Sequence, residues 1–401
     1  MTKGKYKQLF LSSLIWQYNN NDYTQPLSVT KKQRIRQLKY FLIALFALIN
    51  SPCNSQIQSK SQITNGFDKQ KKEKLVNEKI EPYNYGAGDV VNRGYLDKSG
   101  NMWFTTLTEG VFEYNGRIFK NLTVKDGLCS NTVNAVIEDR NGIMWFGTAK
   151  GLCSYDGKNF VNIPLPQEDS QSVSPETGLP SRKTETVLSL IQASNGDFWV
   201  GTDASGAYRY DGKIFTSFLK FKGRIQPDSV YNNCILSIIE DKKGSIWIGS
   251  FTHGGLNEIN GKTITHHALK DGYGDGMIAT SYMDKDGNLW FGTRNGRLYE
   301  YDGNIFKNNF LTKTGEQIAM ASILEDKHGT IWVGSFARKG VYKYDGASFV
   351  SFNIKDSDKL NDIKCITEDE NGNIWFGGRY GLLWRFDGKV LKDFTQLKRA
   401  L

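Results

Sequence analysis

Histidine, cysteine and proline are scarce in this chain of 401 residues, and each scarcity excludes something. There are four histidines, His253, His266, His267 and His328, and five cysteines with no Cys-x-x-Cys pair or mixed Cys/His cluster. A structural zinc site therefore has no ligand set, and no metal or other cofactor is expected. Only eight prolines are present, and no helical pattern of about 10–15 residues separates the apolar stretches, which argues against strand–helix–strand units. The chain has no Gly-x-Ser-x-Gly elbow and no phosphate-cradling Walker loop. No pair of acidic residues stands apart from those in turns, so the two-carboxylate chemistry of glycosidases is not indicated.

The net charge of +9 reads as basic, but it is unevenly placed. Residues 1–80 contain 14 Lys or Arg against 4 Asp or Glu, which leaves residues 81–401 close to neutral. The body of the chain thus has no electrostatic case for nucleic acid. The basic head has the order of a secretory signal. Lys31, Lys32, Arg34, Arg36 and Lys39 precede the ten uncharged residues Tyr40 to Ile49, and a polar stretch follows. Ten residues suit a signal core and fall short of the about 20 that span a membrane. Cys53 is a candidate for lipid attachment, although Pro52 and Asn50 fit a lipoprotein cleavage site poorly, and cleavage after Ser55 competes with it. The expected organisation is a leader over 1–55, a polar flexible linker over 56–85 and a folded body over 86–401. The expected location is outside the cytoplasm: periplasm, outer-membrane surface or medium, with membrane attachment only through the leader or a lipid.

The body repeats one unit seven times. An acidic turn ending in Gly leads into an apolar-Trp-apolar-Gly strand, and a short strand then closes on Tyr-Asp-Gly. Trp103, Trp145, Trp199, Trp247, Trp290, Trp332 and Trp375 mark the copies, at spacings of 42, 54, 48, 43, 42 and 43 residues. Periods of this size identify solenoids, propellers or arrays. Asp-x-x-Gly and Asp-Gly pairs between β-branched and aromatic runs are hairpin signals. The second copy reads as strands Val133–Glu138, Met144–Thr148, Leu152–Tyr155 and Phe160–Ile163. The fold class is therefore all-β: a seven-bladed β-propeller of four-stranded antiparallel blades. The marker Trp residues are assigned to packing between blades, and the Gly beyond each Trp to close approach of neighbouring sheets. The copies vary: Thr105 replaces that Gly in the first, Ala193 replaces the turn aspartate in the third, and Phe386 replaces the closing Tyr in the seventh. The first blade is expected to start near Asp89 and the seventh to end near Phe394, so the ring closes without exchanging a strand. Cys129 and Cys153 fall in one blade and offer one disulfide, the alternative being buried free thiols.

The string Val133-Asn134-Ala135-Val136-Ile137-Glu138-Asp139-Arg140-Asn141-Gly142-Ile143-Met144-Trp145-Phe146-Gly147-Thr148, with Gly151-Leu152 and Tyr155-Asp156-Gly157, resembles the two-component regulator propeller repeat of bacterial sensor proteins, especially of the Bacteroidetes group. The resemblance covers roughly residues 89 to 395 and implies a periplasmic input module for carbohydrate or other extracellular signals. In that family an immunoglobulin-like domain, a membrane span and a histidine kinase usually follow. Through Leu401 this sequence shows none of these, so any signalling is expected to run through a separate membrane sensor protein.

Antiparallel strand order places the loop leading into each blade and the loop between its second and third strands on one face, and the tight turns on the other. The turn face is nearly uniform and the loop face irregular, and irregular loops on a rigid ring carry binding residues. Lys150, His253, Arg294, Arg338, Lys339, Arg379 and Tyr380 occupy second-to-third-strand loops and form the expected ligand site. Guanidinium forks suit carboxylate, phosphate or sulfate, and aromatic faces suit sugar rings. The expected function is non-catalytic recognition of an extracellular glycan or anionic small molecule at the axial mouth by a monomer. The alternatives are a surface scaffold for protein partners, using the long Pro-containing loop Ile163–Thr186, and a lyase or hydrolase centred on His253.

Overall fold

The computed structural model describes residues 89–166, 186–203, 205–219, 234–250, 255–267, 277–294, 296–307, 312, 318–336 and 340–395. The leader, the linker, Cys53 and most of the two longest loops lie outside these residues. Seven antiparallel sheets of four consecutive strands follow one another. The first comprises β1 (Val91–Leu96), β2 (Met102–Thr106), β3 (Val111–Tyr114) and β4 (Phe119–Leu122). The second comprises Val133–Glu138, Met144–Thr148, Gly151–Tyr155 and Phe160–Ile163, within one residue of the strands read from the sequence. The seventh, from Ile363 to Asp393, is complete in itself, so no strand passes between the ends of the chain. First strands of neighbouring blades touch all the way round, and the last returns to the first. Among the described residues no helix is long and apolar enough to cross a membrane.

The repeated signature residues each have a physical task. The turn aspartate accepts backbone N–H bonds through one oxygen and receives the indole N–H of the Trp six residues on through the other. Asp139 does this for Asn141, Ile143 and Trp145, and Asp284, Asp326 and Asp369 repeat the arrangement. Turn and Trp rotamer are thereby fixed together, with no ion needed. In the third blade Ala193 removes the acceptor. At the outer turn the tyrosine hydroxyl donates to the carbonyl of the Gly two residues on, as in Tyr114–Gly116 and Tyr155–Gly157, each at 2.8 Å.

Each Trp reaches the sheet of the next blade. Trp103 lies 5.8 Å from Phe146, Trp145 4.4 Å from Phe198, Trp247 5.7 Å from Phe291, Trp332 5.7 Å from Phe376, and Trp375 5.2 Å from Phe104, which closes the ring. All are buried except Trp145, which is partly so. The Gly two residues beyond the Trp is where the next blade comes closest. A Cβ on Gly201, Gly249 or Gly377 would sit 2.6, 2.3 or 2.6 Å from Ile235, Ile278 or Val91. No real side chain tolerates that separation.

The tight-turn face is clasped from blade to blade. Backbone N–H groups of Lys98, Ser194, Lys285 and Lys327 donate to Glu138, Glu240, Glu325 and Glu368 at the end of the next blade's first strand, and that of Arg140 donates to Gln192. Of the two states left open for Cys129 and Cys153, the disulfide is the one formed, across a Cα separation of 5.9 Å, while Cys365 is a buried thiol. The bond ties the loop ahead of blade 2 to that blade's third strand.

Replacing Gly249 with Ala pushes a methyl against Ile278 and is expected to cost about 1–3 kcal/mol, read by urea unfolding. Replacing Cys129 and Cys153 together with Ser is expected to cost on the order of 3 kcal/mol, the loop-entropy value for a cross-link of this span. An unchanged transition in the presence and absence of reductant would contradict the second expectation.

Candidate functional site

The irregular face is assembled as the strand directions require. The second-to-third-strand loops hydrogen-bond to the loops that lead into their own blades: Ala149 N–H to Thr132 O, Asp203 N–H to Thr186 O, Arg294 N–H to Met277 O and Phe336 N–H to Ala319 O. In blade 7 Arg379 N–H donates to Asp362 O, and Gly381 N–H crosses to Asp89 O of blade 1. Asp89 is buried there and its Oδ1 accepts from Val90, Leu107 and Thr108, which anchors the start of the propeller at its closing seam. Burial raises its pKa, and those hydrogen bonds oppose the rise.

Two of the expected site residues are drawn together. Arg294 is half-buried, with its guanidinium 5.8 Å from the centroid of Phe336, and Lys364 Nζ lies 3.5 Å from the centroid of the same ring. The pKa of Arg294 is lowered by burial and by the field of Arg379. Burial, then Arg379, pushes Lys364 down to about 7, with Arg294 and Arg93 adding to the effect and Asp362 opposing it. Blades 5 and 7 thus bring cations to an aromatic ring supplied by blade 6, an arrangement favourable as cation–π contact and unfavourable as mutual repulsion.

Tyr380 stands beside them, 59% exposed, with its backbone in the left-handed region at φ 60°. Lys150 is exposed on the equivalent loop of blade 2, two blades on from Arg379, and its N–H donates to Thr148. His253, Arg338 and Lys339 lie outside the described residues, as does most of the Ile163–Thr186 loop. Of the remaining histidines, His267 stacks on Trp247 at 4.8 Å and contacts Glu258, which makes it part of the core. Among the described residues no group of three or more His, Cys, Asp or Glu could hold a metal ion.

Two cations below the mouth were not anticipated. The axial cavity, about 220 Å³, is walled by first-strand residues of all seven blades, and the charged ones are Arg93 and Lys364. Every first strand carries a bulge near its loop-face end. The bulged residue is Asn92, Asn134, Leu188, Leu236, Ala279, Ala321 or Lys364. The next residue, Ala135, Ser189, Ser237, Thr280, Ser322 or Cys365, is small and faces the Gly of the second strand, whereas blade 1 pairs Arg93 with Thr105. Extending the repeat alignment into the first strand exposes both cations; the Trp-centred signature stops short of it. Arg93 Nη1 donates to Asn92 O at 3.0 Å, and burial lowers its pKa. Beside it burial pushes the Cys365 thiol up to about 12, so it is not a nucleophile at neutral pH.

Comparison with known proteins agrees with this architecture. The sequence profile of the two-component regulator propeller matches residues 127–150, 232–252, 270–295 and 357–380. No curated protein matches the sequence. Among solved structures, a streptogramin B lyase superposes with a TM-score of 0.57 at 14% identity, covering 77% of this chain and 94% of its own. YCF48 bound to a D1 peptide gives 0.54 at 13% identity, with the same coverages. PorZ, a surface component of the type-IX secretion system of Porphyromonas gingivalis, gives 0.50 at 15% identity, covering 75% of this chain and 46% of its own. At such identities these likenesses show the fold alone. The repeat sequence, its seven-fold recurrence and the profile matches show that the chain carries repeats similar to the two-component regulator propeller repeat.

Proposed function

We propose that this propeller is an exported, non-catalytic sensory module that binds a glycan or a small anionic molecule at the axial mouth of its loop face. The observation that carries this reading is the convergence of Arg294 and Lys364 on Phe336 at that mouth, with both cations in the field of Arg379. A guanidinium held against an aromatic ring offers a planar fork for an oxyanion and an apolar surface for the body of the ligand. Arg338, Lys339 and His253, expected from the sequence in second-to-third-strand loops, complete the proposed set together with Lys150 and Tyr380. The described residues of the mouth supply cations and aromatic surface without a nucleophile–base pair, which favours binding over turnover. The Cys129–Cys153 disulfide supports an oxidising compartment, as does the signal-like leader. Occupancy of the mouth is passed to a separate membrane protein.

A second reading, as a scaffold for protein partners, draws support from the outer turns. Ile118, Ile214, Ile305 and Val390, at equivalent positions in blades 1, 3, 5 and 7, are 48%, 65%, 58% and 61% exposed. Four such side chains on one rim are a ready contact surface, though not a continuous patch.

The test is a thermal-shift panel of glycans, sugar acids and phosphate compounds on the full chain. A ligand at 100 times its Kd adds about 2.7 kcal/mol. The expected result is stabilisation by an acid that is lost in the Arg294→Gln, Arg338→Gln, Arg379→Gln triple variant, with the unliganded melting temperature nearly unchanged. A flat panel on folded protein, or equal affinity in the variant, overturns the mouth as the site and shifts weight to the rim.

A further inference from the structure

We infer that the propeller's axial channel contains a built oxyanion site, formed by Arg93 of blade 1 and Lys364 of blade 7, which takes the acidic group of a ligand no larger than about one sugar acid. The inference rests on the proposed ligand-binding function and carries it further, from the rim of the mouth into the channel.

Position comes first. The first strands of blades 7 and 1 are neighbours across the closing seam, and Lys364 and Arg93 occupy adjacent places in the repeat, the bulge and the residue after it. Both line the same cavity, below the Arg294–Phe336–Arg379 cluster that sits at its loop-face end.

The scaffold does not require charge at these places. The five other blades build the same bulge with Asn, Leu or Ala and follow it with Ala, Ser or Thr. Blades 7 and 1 each accept one half-buried cation that the others avoid.

Among the described residues neither cation has a carboxylate partner. Arg93 bonds a backbone carbonyl and Lys364 sits on an aromatic ring, and Asp362 is the acid whose field reaches Lys364. Cations taken out of water without an anion are costly. An incoming oxyanion removes that cost.

Size limits the guest. A cavity of about 220 Å³ holds about seven waters and lies below the range of drug-sized pockets. The wall away from the seam is aliphatic and hydroxylic, with Ser189, Ser237, Thr280 and Ser281 among its residues, a surface suited to a hydroxylated carbon frame.

A proton accompanies binding. In the empty channel Lys364 titrates near pH 7, because burial and the fields of Arg379, Arg294 and Arg93 outweigh Asp362. An anion against the ammonium favours the charged form, so binding above about pH 7 takes up a proton, and affinity falls by up to tenfold per pH unit as pH rises further. The sign for stability is the reverse. A lysine whose folded pKa lies below its unfolded one holds fewer protons when folded, so without ligand the protein gains stability as pH rises from about 7 toward 10.

The experiment is isothermal titration of the full chain with D-glucuronate, D-gluconate, sulfate and phosphate, with D-glucose as neutral control. Titrations are run at pH 6.5 and 8.5 and in two buffers of different ionisation heat. The inference expects at least one anion to bind, glucose not to bind, and binding at pH 8.5 to take up close to one proton. Lys364→Met and Arg93→Met should each weaken binding tenfold or more. Lys364→Arg should keep binding and lose both the pH dependence and the proton uptake. Removing a half-buried cation should leave Lys364→Met at least as resistant to urea as the parent at pH 6.5, a readout independent of any ligand and one that excludes misfolding. Anion binding unchanged in Arg93→Met and Lys364→Met but lost in Arg294→Gln, Arg379→Gln overturns the channel site and leaves the mouth reading standing. Binding of none of the four anions overturns the channel site whatever neutral glycan binds at the mouth.

Discussion

The approach of one sheet to the next at the second-strand glycine governs this molecule. Each blade carries its Trp on its second strand, and in blades 2 to 7 a glycine two residues later meets the next blade's first strand too closely for a Cβ, while blade 1 has Thr105 there. Dispersion and area burial at that contact grow only when both conditions hold, an aromatic large enough to cross the gap and a backbone bare enough to close it. The first strands are thereby pressed together around the axis, and the width of the channel follows. A cavity of about 220 Å³ is what remains at the centre of seven sheets so spaced.

The closing seam between blades 7 and 1 is built differently from the others. On the turn face Leu96 and Glu370 replace the acid and the base found at most junctions, so the backbone clasp is missing there. On the loop face the seam is held instead by Gly381 N–H on Asp89 O and by the buried Asp89 side chain. Both channel cations stand at this seam. The seam keeps the repeat's Trp and glycine contacts, Trp375 on Phe104 and Val91 against Gly377, and differs in how its two faces are tied.

Charge separates the two faces in kind. On the turn face Lys98, Lys285 and Lys327 lie against the glutamates and carbonyls of the next blade and are spent on holding the ring. On the loop face Arg294, Lys364 and Arg379 are set against an aromatic ring and against one another.

The sequence by itself determined the blade. The strands of blade 2, the seven-fold count, the closure without strand exchange and the interblade place of Trp103, Trp145 and Trp375 all follow from turn chemistry, β-prone runs and the repeat period, which are local. It also separated the loop face from the turn face, because strand alternation is a rule of parity. Tertiary structure decided what meets at the axis. Lys364 and Arg93 are 271 residues apart and lie in strands that read as ordinary apolar segments. Only ring closure makes them neighbours, and only burial within the ring turns two unremarkable cations into a pair short of an anion. Pairing Cys129 with Cys153 likewise needed the loop ahead of blade 2 to fold back on its third strand. Local signals specify a unit, whereas the chemistry of a channel arises from the curvature that closes the units on themselves.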